Sequence, residues 1–336
     1  MHFLFTLILS RKINKNCSLY THKIHFKRLI IDFLSILPPK TSIFSRIFDN
    51  FTPMKETLQK LKTSLSPLYS QGEIKSLTKI IFEHLLNYSQ VDIIMHESDT
   101  LSDFIKGKID KVIERLLTKE PIQYIFNDAY FQGLHLKVTP HTLIPRPETE
   151  QLVDIIVKEN PQQDLRVLDI GTGSGAIAIS LARSLHFPIV DAFDISKEAL
   201  EVATENAKTL KTKVNFFHKD ILSEPTPTQP LYDIIVSNPP YITETERDDM
   251  EANVLDYEPH LALFVPNEDP LRFYRAIAIY ASKALTPGGR IYFEINQNFG
   301  KETADLLTQN DFENALVIKD MYGLDRFVSA TKISER

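Results

Sequence analysis

The sequence is poor in cysteine and lacks long apolar runs. Its 336 residues include one cysteine, Cys17, which excludes an internal disulfide and any metal site built from several cysteines. No apolar stretch reaches the roughly 18 residues that a membrane-spanning helix needs. Hydrophobic residues make up 43% of the chain and charged residues 24%, as in ordinary soluble proteins. We expect room for two domains, no metal site and no membrane contact.

Basic residues are scarce in most of the chain. Residues 1–53 contain eight Lys and Arg against two acids, whereas residues 54–336 contain 30 Lys and Arg against 42 Asp and Glu. An acidic body is a poor match for sequence-independent phosphate binding, which needs clustered Lys and Arg. This balance favours a small molecule or a basic protein as the partner, and we expect no direct nucleic-acid binding.

The basic segment 1–53 is predicted to be an extension outside the fold. We expect Met54 to be the true start, with the upstream residues an overrun of the assigned start. The alternative is a targeting segment, because organellar presequences are basic, rich in hydroxyl groups and poor in acids.

The spacing at which apolar residues recur along the sequence changes between residues 54 and 146. Leucine and isoleucine recur at helical spacing up to about Lys119, which predicts a helical domain over 54–120. We interpret that domain as a docking site for the substrate. Shorter alternation around Gly133 predicts a β-hairpin linker over 121–146.

Strands alternate with helices over 147–336, which predicts an α/β domain with a seven-stranded, mostly parallel, Rossmann-like sheet. A helix is expected after each of the first five strands. The predicted strands are Arg166–Ile170, Ile189–Asp194, Val214–His218, Tyr232–Ser237, Arg290–Ile295, Ala315–Lys319 and Arg326–Ala330.

A glycine-rich turn follows the first predicted strand. Glycine lets the backbone turn sharply and lets a ligand approach without a Cβ in the way. The turn also satisfies the loose dinucleotide pattern, so it leaves the class of nucleotide cofactor open. Its candidate cofactor-binding residues are Gly171, Thr172, Gly173, Ser174 and Gly175.

Carboxylates end the next two strands. Asp194 ends the second strand and can accept hydrogen bonds from both ribose hydroxyls of either cofactor class. Asp220 follows the third strand, where it can accept from the exocyclic amine of adenine while Ile221 packs against the ring. The alternative for both aspartates is capping of the next helix.

The fourth strand is followed by the loop Asn238-Pro239-Pro240-Tyr241. This loop distinguishes between the two classes of nucleotide cofactor. The Asn238 side-chain oxygen and the Pro239 carbonyl can each accept one N–H of a planar amide or amine, and the prolines make the loop rigid. The Tyr241 ring can lie against the planar group and a cationic methyl. A nicotinamide enzyme has no use for this loop, whereas an N-methyltransferase does. We therefore predict S-adenosylmethionine (S-adenosyl-L-methionine) as the cofactor, with these four residues catalytic and substrate-binding.

These motifs resemble the protein-(glutamine-N5) methyltransferases that modify peptide chain release factors. The resemblance extends to Leu143–Glu150, to Glu258-Pro259 and to Gly323–Phe327. It implies a helical N-terminal domain, a hairpin linker and a methyltransferase domain over 147–336. It also implies that the substrate is the glutamine of a Gly-Gly-Gln motif, which supports translation termination, and we expect a cytoplasmic monomer.

By position, the resemblance implies that the glycine turn, Asp194, Ile221 and Asn238 contact the cofactor, and that Phe131 lines the substrate pocket. It assigns no chemical role to Arg146 or Glu148, although both belong to the linker motif.

Several alternatives share the Asn-Pro-Pro-Tyr motif. A sister enzyme methylates a glutamine of a ribosomal protein, but its linker lacks the Pro147–Glu150 run. DNA adenine N6-methyltransferases act on a flipped base. They need a basic recognition region, as do ribosomal RNA guanine methyltransferases, and this acidic body shows none. A non-catalytic scaffold would be expected to carry a damaged motif.

Overall fold

The computed structural model describes residues 52–334. The predicted extension lies outside the described residues except for Thr52 and Pro53. These two residues form strand β1 (Thr52–Pro53), which pairs antiparallel with β2 (Thr100–Leu101). The next residue, Met54, is fully buried. The described fold therefore includes the two residues that precede the predicted boundary at Met54.

In the part of the chain that the structure describes, five helices precede the hairpin: α1 (Met54–Leu65), α2 (Gln71–Leu86), α3 (Gln90–Met95), α4 (Asp103–Leu117) and α5 (Ile122–Phe126). Ser70 and Ser89 begin α2 and α3, and each forms a reciprocal capping box with the acid three residues later. The apolar faces meet in one core that contains Leu61, Phe82 and Ile113. Helical spacing therefore predicted this region well.

The hairpin is shorter than predicted. Its strands are β3 (Ala129–Phe131) and β4 (Leu134–Leu136), joined by Gln132 and Gly133 at φ +48° and +74°. Two positive φ angles suit a tight hairpin turn. The prediction of a hairpin over all of 121–146 is wrong at both ends: residues 122–126 form α5, and residues 137–146 are irregular. A five-residue apolar stretch is too short for periodicity to separate helix from strand.

The remaining strands are β5 (Arg166–Ile170), β6 (Ile189–Asp194), β7 (Asn215–His218), β8 (Tyr232–Ser237), β9 (Ile242–Thr243), β10 (Phe264–Val265), β11 (Leu285–Glu294), β12 (Phe312–Lys319) and β13 (Asp325–Lys332). All except β9 and β10 join one seven-stranded sheet in the order β12-β13-β11-β8-β5-β6-β7. The pairs are parallel except where β13 meets β11 and β12. The seven predicted strands are therefore confirmed.

The accompanying helices are α6 (Pro147–Glu159), α7 (Ala176–Ser184), α8 (Lys197–Thr209), α9 (Ala252–Tyr257), α10 (Arg272–Ala284) and α11 (Gly300–Thr308), with 3₁₀ turns at Glu244–Asp249, His260–Ala262 and Gln297–Phe299. The prediction of a helix after the third strand is wrong, because no helix lies between β7 and β8. Pro225, Pro227 and Pro230 interrupt that connection, and each removes a backbone donor and fixes φ.

Both faces of the sheet are covered by apolar side chains. Along β8, Ile235 packs in a core with α10 and α11, while Ile234 and Val236 pack in a second core with α6 and α7. Burial on both faces explains why three successive residues of β8, Ile234 to Val236, are apolar. None of the helices between residues 52 and 334 is long and apolar enough to cross a membrane.

Candidate active site

A cavity of about 470 Å³ lies at the carboxyl ends of β5, β6 and β8. Ligands of open parallel sheets bind at this edge, where the loops leave the strands. The predicted site residues that line the cavity are Gly171, Gly173, Asp194, Asp220, Ile221, Asn238, Pro239 and Pro240. The glycine turn and the Asn-Pro-Pro loop are thus brought into one cavity.

The glycine turn leaves open space for a ligand. Gly171 and Gly173 have φ of +75° and +55°, and a Cβ added to either would meet no protein atom within 4 Å. Gly175 has a different role, because an added Cβ would lie 3.0 Å from Ile179 and 3.2 Å from Ala203. That glycine allows α7 and α8 to pack closely.

Three predicted cofactor-binding residues of the turn do not line the cavity: Thr172, Ser174 and Gly175. Thr172 is buried, and its hydroxyl donates to Asp169 Oδ2 over 2.7 Å. The carbonyl of Ser174 accepts from Asn206 Nδ2 over 2.9 Å. These residues hold the shape of the turn, because their side chains or backbone atoms are engaged with the protein interior.

Asp169 is a fully buried carboxylate at the end of β5. Its Oδ2 accepts from Thr172 and from the Ala178 amide, whereas Oδ1 has no hydrogen-bond partner among the described residues. Burial raises the pKa of Asp169 to about 7, against the opposing effect of these two bonds.

Asp194 faces the cavity from the end of β6. Its Oδ2 accepts from the Gly173 amide over 2.8 Å and its Oδ1 from the Ser196 amide over 2.9 Å. Burial raises the pKa of Asp194, and the backbone bonds partly oppose this shift. A carboxylate has about four lone pairs, so Asp194 can still accept a hydrogen bond from a ligand.

The reaction loop leaves the sheet immediately after Ser237. The buried Ser237 hydroxyl donates to the Ile170 carbonyl over 2.7 Å, which ties the ends of β8 and β5 together. Asn238, Pro239 and Pro240 then form part of the cavity wall. These three residues therefore border the same cavity as the glycine turn.

Tyr241 is not among the residues that line the cavity, and its predicted contact with the substrate stays a prediction. The ring packs against the sheet core, and its hydroxyl donates to Glu294 Oε1 over 3.2 Å. Burial and the nearby Glu294 carboxylate raise the pKa of Tyr241. The side chain therefore anchors the loop from behind.

Phe131 is also placed differently from the prediction. It is fully buried in the core formed with Leu136 and Leu152, and it does not line the cavity. Successive side chains of a strand face opposite sides, and the neighbouring Tyr130 is the exposed member of the pair.

Sequence reasoning missed the contacts between the linker and the loops that follow β8. Arg146 pairs with the buried Glu258, whose second oxygen accepts from the Ile144 amide over 3.1 Å. Thr149 donates to the buried Glu294 over 2.6 Å. Both acids follow or end apolar segments, but nothing local in the sequence identifies their partners.

Family models match most of the described chain. Residues 147–256 match the methyltransferase small domain, and residues 56–126 match the PrmC N-terminal domain. A cofactor cavity at the carboxyl edge of this sheet, together with the first match, defines an S-adenosylmethionine-dependent methyltransferase.

Relatives define the particular family. The chain is 49% identical to the release factor glutamine methyltransferase of Bacteroides thetaiotaomicron over 272 residues, which cover 81% of this chain and 98% of the relative. It is 44% identical to the enzyme of the same name from Flavobacterium psychrophilum, over 79% of this chain and 94% of that one. The chain belongs to the release factor glutamine methyltransferase family.

Proposed function

We propose that this protein methylates the side-chain amide nitrogen, N5, of the glutamine in the Gly-Gly-Gln motif of peptide chain release factors, and so supports translation termination. The observation that carries the proposal is the presence of Asn238 and Pro239 in the wall of the same cavity as Gly171 and Gly173. The near-complete coverage of relatives that bear this name supports the choice of substrate.

The residues of the cavity fit S-adenosylmethionine, which supplies an electrophilic methyl group on a sulfonium. Asp194 would accept from the two ribose hydroxyls, and the open space at Gly171 and Gly173 admits the ligand close to the backbone. Asp220 would accept from the adenine amine, beside the Ile221 side chain. Thr172, Ser174 and Gly175 would act by shaping the turn.

An amide nitrogen is a weak nucleophile, because its lone pair is delocalised into the carbonyl. Asn238 Oδ1 and the Pro239 carbonyl would each accept one N–H of the glutamine, which fixes the group and draws electron density toward nitrogen. Holding the two reactants in line removes much of the entropic part of the barrier. The nitrogen would gain the methyl group as the bond between that carbon and the sulfonium sulfur breaks, so that a neutral thioether leaves, and the nitrogen would release one proton to water. Tyr241 contributes by holding the loop.

We further propose that the enzyme acts as a monomer in the cytoplasm, on a protein rather than on nucleic acid. Residues 54–336 carry 42 acids against 30 Lys and Arg, which disfavours binding to a phosphate backbone.

Mass spectrometry of a release factor after incubation with the enzyme and S-adenosylmethionine tests the function. We expect one added methyl group on the Gly-Gly-Gln peptide, and none on a release factor whose motif glutamine is replaced by glutamate. Methylation of a ribosomal protein or of DNA, with the release factor unmodified, would contradict the proposal.

A further inference from the structure

We propose that Thr149 and Glu294 are positioning residues that fix which way the Asn238 amide faces, with its oxygen toward the substrate nitrogen. The inference rests on the proposed function and adds two residues to its machinery.

A chain of three polar side chains leads from the core to the cavity. Glu294 and Thr149 are 1% and 4% exposed, and Thr149 Oγ1 lies 2.6 Å from Glu294 Oε2. Asn238 Nδ2 in turn lies 3.4 Å from Thr149 Oγ1. The far end of this chain, Asn238, is in the cavity wall, whereas Thr149 and Glu294 are not.

The donors and acceptors of this chain have one consistent arrangement. An ionised carboxylate only accepts, so the single proton of the Thr149 hydroxyl points to Glu294. The Thr149 oxygen then has only lone pairs to offer, and it requires the NH₂ side of the Asn238 amide. Asn238 Oδ1 is therefore turned away from Thr149, toward the cavity.

Burial raises the pKa of Glu294, and the hydroxyls of Thr149 and Tyr241 and the positive charge of Arg326 oppose this rise. The arrangement applies to the ionised form of Glu294, which these three groups stabilise. Tyr241 donates to the other carboxylate oxygen over 3.2 Å, so both oxygens act as acceptors.

The orientation matters because the reacting group of the substrate is itself an NH₂. With Oδ1 toward the cavity, Asn238 accepts one substrate N–H. If the amide turned over, two donors would face each other and the substrate nitrogen would lose a positioning bond. Without its Thr149 partner, the Asn238 amide can adopt either orientation. The Thr149 hydroxyl therefore selects the orientation in which Oδ1 faces the cavity.

Two substitutions of Thr149 test this role. Thr149→Val keeps the shape and removes the hydroxyl, whereas Thr149→Ser keeps the hydroxyl. In single-turnover assays at saturating release factor, we expect Thr149→Val to lower the transfer rate by at least about 10-fold, as expected for a stranded hydrogen-bonding group. Thr149→Ser should stay within about 3-fold of the native rate, and the cofactor Kd of both should change by less than about 2-fold. Equal rates for the two variants would overturn the proposal.

Glu294→Gln provides a second test with an isosteric side chain. A glutamine can donate to Thr149, which frees the threonine proton to turn toward Asn238 and invert its amide. We expect a loss of transfer at least as large as that of Thr149→Val. Native transfer by Glu294→Gln would contradict the role of the carboxylate.

A nuclear magnetic resonance measurement separates this inference from the proposed function, because it needs no release factor. In protein with ¹⁵N-labelled asparagine, we expect a nuclear Overhauser contact between the Asn238 NH₂ and the Thr149 methyl. The contact should disappear in Glu294→Gln, while the Asn206 NH₂, bonded to the Lys137 and Ser174 carbonyls, stays unchanged as the control. No such contact in the native protein would overturn the positioning role, even if methylation is seen. If the contact is present but no release factor is methylated, only the proposed substrate is refuted, and the positioning role of Thr149 and Glu294 is retained.

Discussion

The Arg146 guanidinium pairs with the Glu258 carboxylate, although 112 residues separate them in the chain. The Glu258 side chain is 1% exposed and that of Arg146 is 33% exposed. The pair joins the linker before α6 to the segment around Pro259, which is itself part of the cavity wall. One contact thus connects the linker motif with Glu258-Pro259, which lie far apart in the sequence.

Removing one partner of this pair should destabilise the fold. Arg146→Met leaves a buried carboxylate without its charge partner, and we expect a loss of roughly 1–3 kcal/mol, below the roughly 3–5 kcal/mol of fully buried pairs because Arg146 reaches solvent. The double variant Arg146→Met/Glu258→Gln should recover much of this loss. Lys60→Met is the control, since Lys60 and Asp110 form an exposed pair worth less than about 1 kcal/mol. Urea unfolding measures all three, and equal losses for Arg146→Met and Lys60→Met would contradict the expectation.

Asn238→Ala should separate binding from chemistry. The alanine removes the acceptor for the substrate NH₂ but leaves the glycine turn and Asp194 intact. Methyl transfer should fall by at least ~10²-fold, comparable with the loss of one preorganised group at a reaction centre. Cofactor affinity should change only a few-fold. Asn215→Ala, an exposed asparagine on β7, serves as the control. Near-native turnover by Asn238→Ala would refute its assigned role.

Asp194→Ala should weaken cofactor binding, because two ribose hydroxyls lose their acceptor at a cost of roughly 1–3 kcal/mol. Calorimetry with S-adenosylmethionine measures the change. Asp191 lies on the same strand as Asp194 but outside the cavity wall. The control variant Asp191→Asn should therefore bind S-adenosylmethionine with native affinity. NAD should give no heat with the native protein, and an unchanged affinity of Asp194→Ala would show that the ribose binds elsewhere.

The stability of the native fold should depend on pH through Asp169. Its pKa is raised to about 7 in the folded protein and is about 4 in an unfolded chain, so the folded state binds the proton more tightly. The stabilisation of the folded state by proton binding at Asp169 is fully present below about pH 4, and it is lost as the pH rises through about 7. Asp169→Asn should therefore flatten the fall in Tm between pH 5 and pH 8. The exposed Asp164→Asn is the control, and identical pH profiles for native protein and Asp169→Asn would contradict the expectation.

The strands and the two motifs could be predicted because each depends on short stretches of sequence. β5, β6 and β8 have the predicted bounds, since each is a short and mostly apolar stretch of sequence. The roles of Tyr241 and Phe131 could not be predicted in the same way. Whether a ring at a loop or strand position faces the cavity or the core depends on partners that are far away in sequence, such as Glu294 for Tyr241.

The long-range partners of the linker residues could not be predicted from the sequence either. Its residues could be recognised as a motif, but Thr149 gains its role only from Glu294, and Arg146 only from Glu258. No periodicity or spacing within 143–150 identifies an acid more than 100 residues later. Long-range polar pairs are therefore the part of the site that only the folded structure supplies.

The hydrogen bond between Thr149 and Glu294 spans 145 residues, which has a consequence for the chain during its synthesis. A nascent chain that ends before β11 already carries the glycine turn and the Asn-Pro-Pro-Tyr loop, but it lacks the carboxylate that receives Thr149 and Tyr241. Contacts between such distant segments form late, because the closure of a long loop is entropically costly. A truncated product that retains both motifs but ends before β11 is therefore an incomplete catalyst, and the residues from β11 onward decide whether the motifs before them can work.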